Sequence, residues 1–442
     1  MATALDRLRE LLKIATVSYA DESRVDTSAF DEFHAALERL YPLVHTRLER
    51  EVVVGHALLF RWPGRTAERP LVLMAHQDVV PVVEDDWDRD PFGAELVGDG
   101  ADQAVYARGA IDDKGALVAI LEAVEELLMR EVVPENDVYL AFGHNEETAG
   151  DGARAIAEAL RTRGVRPALV VDEGGAVVDG VLPGIARPTA MIGVAERGTM
   201  TIWLTAREQG GHASTPPARP ATARLARAVD RLARHPFPVR LVPPVRAMLR
   251  TLAPHAPKAL GTALRSLALT GPLIAAVLAR LGPETNALVR TTAVATELEG
   301  APGENVLAAT ARAAINVRLL TGDTAASAVA RIRRVVADET IEIEVRAASE
   351  PSPVSPWRGE PWRRIARAID SSLGSEIVAT PYIQLGASDS RWFTGICDNV
   401  YRFTPFHLTR AEREALHAHN ERIRVEVWLR GIGFYRDLIT GS

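Results

Sequence analysis

The sequence has little cysteine, little lysine and no block of like charges, and each shortage excludes a class of protein. Its single cysteine, Cys397, cannot form a disulfide within the chain, which fits a reducing compartment. Only three of the 51 basic residues are lysine, so the remaining 48 are arginine. The formal net charge is -7 and five like charges never occur in a row, so the electrostatic footprint of a nucleic-acid-binding protein is missing. We therefore expect no nucleic-acid partner.

Long apolar runs are also missing. The most apolar stretch, Ser266 to Ala279, has 14 uncharged residues interrupted by Gly271-Pro272, whereas a membrane-spanning helix needs about 20. This stretch either packs internally or contacts lipid or an acyl chain, and the sequence leaves both interpretations open. The N-terminus carries charges where a secretory signal needs an apolar run. We expect a cytoplasmic protein without a membrane partner.

Length and pattern predict more than one domain. The 442 residues are too many for one typical core, and the composition is that of a globular protein. Short apolar runs alternate with helical patterns between about 70 and 190, which predicts a doubly wound α/β sheet. The pattern changes at about 192, and the proline-rich EPSPVSPW near 350 indicates a linker. We predict an α/β domain from residues 1–191 and 353–442, interrupted by an α+β domain at 192–352.

Acidic and histidine residues follow several predicted strands of the α/β part, where open sheets bind ligands. His76 and Asp78 come after the first of these strands. Residues two apart share a face of an extended chain, so His76 could bind a metal while Asp78 orients it. The same H-x-D pattern is also common in solvated loops. By itself it does not decide between the two interpretations.

Three further acidic groups occupy comparable positions. Asp112 opens a predicted helix, where capping alone would explain one carboxylate but not the denser Asp-Asp-Lys sequence. Glu146 and Glu147 leave another strand, and adjacent carboxylates repel unless a cation lies between them or one holds a proton. A solvated turn is the alternative there. Glu173 follows a fourth apolar strand.

Together these residues suit zinc, manganese or cobalt rather than a metal that prefers thiolates. One histidine is too few for two zinc ions, and the C-terminal segment offers His407, His417 and His419. On a helix His417 and His419 would point about 200° apart, so at most one could face a shared metal. Spacing alone does not choose between them.

The ordered motifs H-x-D, R-G-x-x-D-D-K-G, N-E-E, D-E-G, G-H-A-S and H-x-x-N-E-R span about Leu71 to Ile439. In this order the sequence closely resembles the zinc-dependent amidohydrolase and exopeptidase family of aminoacylase, carboxypeptidase S and carnosinase. YARGAIDDKG, VVDEGG, NALVRTT and FHLTRAEREALHAHNERI make it most similar to the branch of carboxypeptidase S and the N-fatty-acyl-amino-acid hydrolases.

The resemblance implies a catalytic α/β domain with two zinc ions, for which manganese or cobalt could substitute. His76 would bind one ion, His417 the other, and Asp112 would bridge them. The other implied roles are Glu147 beside His417, Glu173 beside His76, Asp78 as the partner of His76, and Glu146 as general base. The family usually has a cis peptide after the bridging aspartate, here Asp112–Asp113.

The resemblance also implies that the inserted domain is a lid and dimerisation domain. Its His212 would polarise the scissile carbonyl, often in a partner subunit, so a homodimer is expected as one possibility. Asn286 and Arg318 would bind substrate, Arg318 at the free carboxylate, and Gly386 and Ala387 lie in the substrate turn. Ser388 replaces the family's commoner threonine, which weakens the case for that turn. Without the resemblance, His212, Asn286 and Arg318 could be a turn residue, a cap and a surface arginine.

The implied function is cleavage of the amide bond in peptides or N-acyl amino acids with a free C-terminal carboxylate, by a hydroxide held between the zinc ions. A small-molecule substrate is therefore expected, but the sequence does not say which one. Two alternatives remain: a non-catalytic family member that acts as a binding protein, and a di-metal phosphoesterase. Serine-hydrolase and nucleotide-binding motifs, G-x-S-x-G and G-x-x-x-x-G-K-[ST], do not occur.

Overall fold

The computed structural model describes residues 3–441 as a mixed α/β protein. Its strands are β1 (Glu49–Val52), β2 (Leu58–Trp62), β3 (Thr66–His76), β4 (Glu95–Val97), β5 (Ala104–Tyr106), β6 (Asn136–Gly143), β7 (Leu169–Val178), β8 (Thr189–Glu196), β9 (Gly198–Arg207), β10 (Gly211–His212), β11 (Thr292–Glu299), β12 (Val306–Leu307), β13 (Thr310–Leu319), β14 (Ile341–Ser349), β15 (Val378–Gln384), β16 (Val400–His407) and β17 (Arg422–Arg424).

Helices precede, connect and follow these strands. They are α1 (Ala4–Leu12), α2 (Thr27–Leu40), α3 (Pro42–Arg47), α4 (Lys114–Met129), α5 (Gly152–Thr162), α6 (Ala221–Arg234), α7 (Pro243–Leu252), α8 (Lys258–Arg265), α9 (Leu267–Leu281), α10 (Pro283–Val289), α11 (Ala325–Val336), α12 (Glu360–Ser372), α13 (Arg410–Glu414) and α14 (Val425–Thr440).

The largest sheet has the strand order β1-β2-β6-β3-β7-β16-β8-β15. Strand β3 lies parallel to both β6 and β7, and β7 lies parallel to β16. His76 is opposite Gly143 in the register of β3 and β6, so the loops that follow these two strands leave the sheet at the same edge. This edge lies at the carboxyl ends of parallel strands, where α/β proteins bind their ligands.

Helices cover both faces of this sheet, as in the predicted doubly wound fold. Along β3, Leu71 and Leu73 belong to the core that also contains α4 and α14, whereas Val72 and Met74 belong to the core that contains α5. Alternate residues of a strand point to opposite faces, so one buried strand supplies both cores. This explains why β3 is apolar without interruption from Leu71 to Ala75.

The segment between β8 and β15 forms a second sheet with the order β11-β13-β9-β14, and its strands are antiparallel. Helices α6 and α11 pack on this sheet around a separate apolar core. The predicted boundary at 191/192 falls inside β8, which continues in the large sheet to Glu196. This small α+β unit lies within the chain segment predicted as the insert.

Helices α7 to α10 also lie within the predicted insert, but they pack elsewhere. Leu249, Leu278 and Val289 are buried in the same core as the residues of α4 and α14. Their apolar side chains therefore join the core of the large sheet rather than that of the small one. The predicted range 192–352 thus contains two packing units.

The predicted linker is held in place by hydrogen bonds. The backbone N–H groups of Ser352 and Ser355 donate to the carbonyls of Glu196 and Val194, at 3.2 and 2.8 Å. The Ser355 side chain is buried and bonds to the backbone of Val400. The segment therefore runs along β8 as a fixed connection.

Among residues 3–441 no single helix has both the length and the apolar character needed to span a membrane. Helices α8 and α9 satisfy that test only as a pair, and a bend of 112° separates them.

Candidate metal centre

Two imidazoles meet one carboxylate at the edge of the large sheet. Asp112 Oδ1 lies 3.0 Å from His76 Nε2, and Asp112 Oδ2 lies 3.0 Å from His417 Nε2. His76 ends β3, Asp112 lies just before α4, and His417 follows α13. Each oxygen of one carboxylate thus faces a different imidazole, as a bridging ligand between two metal ions must.

One further carboxylate completes each half of this arrangement. Glu147 Oε2 lies 3.1 Å from His417 Nε2, and Glu173 Oε1 lies 3.9 Å from His76 Nε2. In each of the two groups, His76–Asp112–Glu173 and Asp112–Glu147–His417, the candidate ligand atoms lie within 4.8 Å of one another. The structure therefore brings together the five residues predicted as metal ligands.

The buried Asp78 side chain contacts His76 and the turn that carries Glu146 and Glu147. Its Oδ1 lies 3.3 Å from His76 Nδ1, and the backbone carbonyl of Asp78 lies 2.9 Å from the same nitrogen. Its two oxygens also accept the backbone N–H groups of Glu146 and Glu147, each at 3.1 Å. This buried carboxylate therefore positions His76 and the Glu146–Glu147 turn together, because one rigid acceptor fixes both loops.

The donor set fits divalent cations. Burial raises the pKa of Glu146 and of Glu173 well above the usual range, and neighbouring carboxylates raise them further. Glu147 Oε1 is buried and has no hydrogen-bond partner in the described residues. Carboxylates and imidazoles gathered in this way repel or compete for protons unless cations balance them. His76, Asp112, Glu147, Glu173 and His417 are the side chains that would hold such ions.

Metal binding is expected to release protons. The carboxylates of Asp112 and Glu147 raise the pKa of His417 to about 10 in the metal-free chain, so this imidazole is protonated at pH 7. Zinc binds only the neutral imidazole, and therefore the apparent zinc affinity should rise as the pH increases toward about 10. Zinc titration calorimetry at pH 7 in buffers of different ionisation enthalpy measures the protons released. Heats that do not depend on the buffer would contradict this expectation.

Glu421 is a residue of the site that sequence reasoning missed. It is fully buried, and it accepts the backbone N–H groups of Gly109, Ile111 and Asp112 at 3.0, 2.7 and 3.1 Å. It also accepts a hydrogen bond of 2.7 Å from the Arg108 guanidinium. Burial raises the pKa of Glu421 while Arg108 opposes that rise. Its place in the H-x-x-N-E-R motif was visible in the sequence, but its contact with a loop more than 300 residues away was not.

We expect Glu421→Gln to weaken zinc binding by about 10- to 100-fold. The amide would place an N–H donor against backbone donors, so the loop that carries Asp112 would lose its shape. Competition with a chelating dye measures the change. Glu125→Gln is a matched control, because Glu125 is also buried and accepts two backbone N–H groups, those of Leu43 and Val44. Equal zinc affinity in the two variants would contradict the role of Glu421.

The structure distinguishes among the C-terminal histidines. His417 lies in a turn with φ of +57°, rather than on a helix, so the helical geometry considered for His417 and His419 does not apply. His407 instead pairs with Asp179 at 2.9 Å. The peptide bond between Asp112 and Asp113 is cis, as the resemblance implied.

His212 lies in β10 of the inserted segment and is exposed. Its Nδ1 lies 2.7 Å from Ser214 Oγ, and its Nε2 lies 3.0 Å from Asn305 Nδ2. The contact with Asn305 follows from the pairing of β10 with β12. Asn305 was not among the predicted residues, because only strand pairing reveals its position beside His212.

Three arginines that form no ion pair with a carboxylate among residues 3–441 gather where the two sheets adjoin. Arg318 is half-buried, and burial together with the charge of Arg391 lowers its pKa. Burial and the charge of Arg318 lower the pKa of Arg197 to about 10. Arg197 donates to the backbone carbonyls of Arg290 and Arg318. A cluster of desolvated guanidiniums favours binding of an anion.

The remaining predicted residues occupy different surroundings. Gly386 and Ala387 precede Ser388, whose hydroxyl hydrogen-bonds buried Glu196 at 3.0 Å. Asn286 lies on α10 and lines a cavity of about 150 Å³ beside Phe237. Asn286 belongs to neither group of candidate metal ligands.

The chain is similar in sequence to several known proteins. A sequence model described as Peptidase family M20/M25/M40 matches residues 72–441. The chain is 33% identical over 443 residues to N-fatty-acyl-amino acid synthase/hydrolase PM20D1 of Homo sapiens, a match that covers 99% of this chain and 87% of the relative. It is 30% identical over 444 residues to probable carboxypeptidase S-like 2 of Dictyostelium discoideum, covering 99% and 84%.

A similar fold occurs in a crystal structure of an M20 family metallo-carboxypeptidase, Sso-CP2, from Sulfolobus solfataricus. The TM-score is 0.72 at 20% sequence identity, and the alignment covers 100% of this chain and 99% of the other. At this identity the likeness concerns the fold.

Proposed function

This chain belongs to Peptidase family M20/M25/M40, and from that membership and its metal centre we propose that it is a two-zinc hydrolase of N-acyl amino acids and related peptides. The membership confirms the predicted family and fold class. It also identifies the protein as an enzyme of a metallopeptidase family. The identity and number of the metal ions, the general base and the acyl group cleaved belong to the proposal.

One observation carries the proposal: the two oxygens of Asp112 lie 3.0 Å from His76 Nε2 and 3.0 Å from His417 Nε2. Two zinc ions at this centre would act as Lewis acids and lower the pKa of a bound water to about 7. Manganese or cobalt accept the same ligands. A non-catalytic binding protein has no need for such a centre.

Glu146 is the proposed general base. Its backbone is fixed by Asp78 next to the ligand Glu147, and burial raises the pKa of its carboxyl well above the usual range. In its ionised form the Glu146 carboxylate would accept a proton from the water as the water oxygen bonds to the amide carbon, and would return it to the amine nitrogen as the C–N bond breaks. Hydrolysis of the amide bond then gives a free acid and an amino acid.

The substrate carboxylate is proposed to bind the arginine cluster. Arg318 and Arg391 form no ion pair with a carboxylate within residues 3–441, so an incoming anion would relieve their mutual repulsion. Guanidinium groups bind carboxylates through two parallel hydrogen bonds. The names of the human and Dictyostelium relatives, which refer to N-fatty-acyl amino acids and to a carboxypeptidase, support this substrate class.

A hydrolysis panel tests the proposed function. Dipeptides, N-acetyl amino acids and long-chain N-acyl amino acids would be compared with a phosphate monoester, each before and after treatment with a chelator. We expect chelator-sensitive hydrolysis of N-acyl amino acids, restored by zinc. Hydrolysis of the phosphate ester alone would favour a di-metal phosphoesterase, and no hydrolysis by protein with a full metal content would favour a binding protein.

We expect His212→Ala to retain its zinc content while losing about 10²- to 10³-fold in kcat, because the variant removes a donor proposed to polarise the scissile carbonyl. His212 contacts Asn305 rather than a metal ligand, which separates the two effects. His235→Ala is the control, since His235 is another exposed histidine of the same segment. Unchanged kcat would mean that the inserted segment supplies no oxyanion contact.

Two other parts of the proposal rest on the sequence. A cytoplasmic location would be tested by cell fractionation. A homodimer formed through the inserted segment would be tested by sedimentation, which separates monomers from dimers.

A further inference from the structure

An exposed apolar strip lies on α9, outside the metal centre. Leu269, Leu273, Val277 and Leu281 recur every four residues, and they are 87%, 69%, 47% and 50% exposed. The opposite face of α9 is buried in the core of the large sheet. A surface helix normally presents polar side chains to solvent, and a helix that is apolar all round is normally covered on all sides. We therefore expect the α9 strip to be covered by an apolar partner.

Basic residues predominate in the chain segment that contains the α9 strip, and the first acidic residue after the strip is Glu284 on α10. Residues 231–283 contain eight arginines and lysines and no acidic residue, although the whole chain has a net charge of -7. Lys258, Arg265 and Arg280 are exposed near the ends of α8 and α9. None of these three forms an ion pair with a carboxylate in the part of the chain that the structure describes. Arg265 just before α9 and Arg280 near its end are thus cations without an ion-pair partner within residues 3–441.

We propose that the α9 strip binds the anionic surface of a phospholipid bilayer, with α9 lying in the interface. Leucine and valine side chains would enter the boundary between headgroups and acyl chains, and the cations would contact lipid phosphates. This combination of an apolar face and flanking basic residues is what holds helices at membrane surfaces. The proposed contact is peripheral, and the 112° bend between α8 and α9 fits it.

The charge pattern favours lipid over other occupants. A second copy of the chain packed on the same strip would bring cations against cations. The acyl tail of one bound substrate would leave the cations without a partner. An anionic bilayer supplies both an apolar layer and negative charge.

The α9 strip is connected to the metal centre through α10. Glu284 on α10 lies 3.5 Å from Arg413, which is four residues before His417. Lipid binding does not require catalysis. An experiment on lipid binding therefore tests this proposal independently of the proposed hydrolase function.

Co-sedimentation with vesicles tests the proposal on the full chain. Vesicles of phosphatidylcholine mixed equally with phosphatidylglycerol should pellet the wild-type protein, and added salt should weaken binding. We expect Leu269→Gln/Leu273→Gln, and separately Arg265→Gln/Arg280→Gln, to lower the partition coefficient at least about tenfold. Val294→Gln/Leu298→Gln is the matched control, because these exposed apolar side chains lie on β11, where Glu297 and Glu299 flank Leu298. This control should bind like wild type.

Circular dichroism and zinc content would show that each variant is folded. Wild-type protein that stays in the supernatant with these vesicles would overturn the proposal. It would also be overturned if the leucine variant bound as strongly as wild type. Dissociation of a dimer by the leucine variant, without lipid binding by wild type, would assign the strip to a second copy instead.

Discussion

Asp112→Ala is expected to remove both metal ions from the protein and to abolish hydrolysis. Each oxygen of Asp112 faces a different imidazole, so one substitution removes a ligand from both positions. Loss of a residue that merely supports a ligand costs about 10- to 100-fold in metal affinity, and loss of a shared ligand should cost more than about 100-fold at each position. Inductively coupled plasma mass spectrometry on dialysed protein measures the metal retained.

Asp179→Ala is the matched control for this experiment. Asp179 also pairs with a histidine, His407, at 2.9 Å, but this pair belongs to neither group of candidate ligands. It should retain the wild-type metal content. Retention of two ions per chain by Asp112→Ala would contradict a bridging role, and retention of one would assign Asp112 to a single ion.

Glu146→Gln is expected to retain its metal ions and lose about 10²- to 10⁴-fold in kcat. Glutamine has the shape of glutamate but cannot accept a proton at neutral pH. Asp78 accepts the backbone N–H of residue 146, so the turn should keep its conformation when only the side chain changes. Steady-state kinetics on an N-acyl amino acid, with metal analysis of the same sample, measure both quantities.

Glu147→Gln provides the contrast, because Glu147 Oε2 lies 3.1 Å from His417 Nε2 within the second group of ligands. That variant should lose metal together with activity. If Glu146→Gln turned over substrate at the wild-type rate, another group would have to be the base. If it lost metal like Glu147→Gln, then Glu146 would be a ligand rather than the base.

The sequence predicted the fold class for a local reason, whereas the assignment of the five candidate ligands came from the resemblance to a known family. His76, the Glu146–Glu147 pair and Glu173 follow or lie within apolar strands, and the carboxyl ends of parallel strands meet at one edge of a sheet. His76 and Gly143 are in register across β3 and β6, so the placement of His76 near Glu146 and Glu147 follows from that pattern. The resemblance to a known family then implied which of the two ions each candidate ligand would bind.

Contacts between distant parts of the chain could not be predicted from spacing. His417 approaches Asp112 across 305 residues, and the turn that places it has a left-handed backbone at His417. Periodicity describes helices and strands, and it carries no information about a turn of this kind. The choice of His417 over His407 and His419 depended on the resemblance alone until the tertiary contacts were known.

By itself, the sequence determined which residue types follow the strands, because strand pattern is a local property. Those residue types made zinc, manganese or cobalt the expected metals, and the ordered motifs carried the resemblance to the family. Only the tertiary structure decided that Glu421 hydrogen-bonds the loop of Asp112 and that Asn305 contacts His212. It also decided that α7 to α10 pack on the large sheet and that α9 leaves an apolar face exposed. These features depend on which surfaces meet when the chain folds.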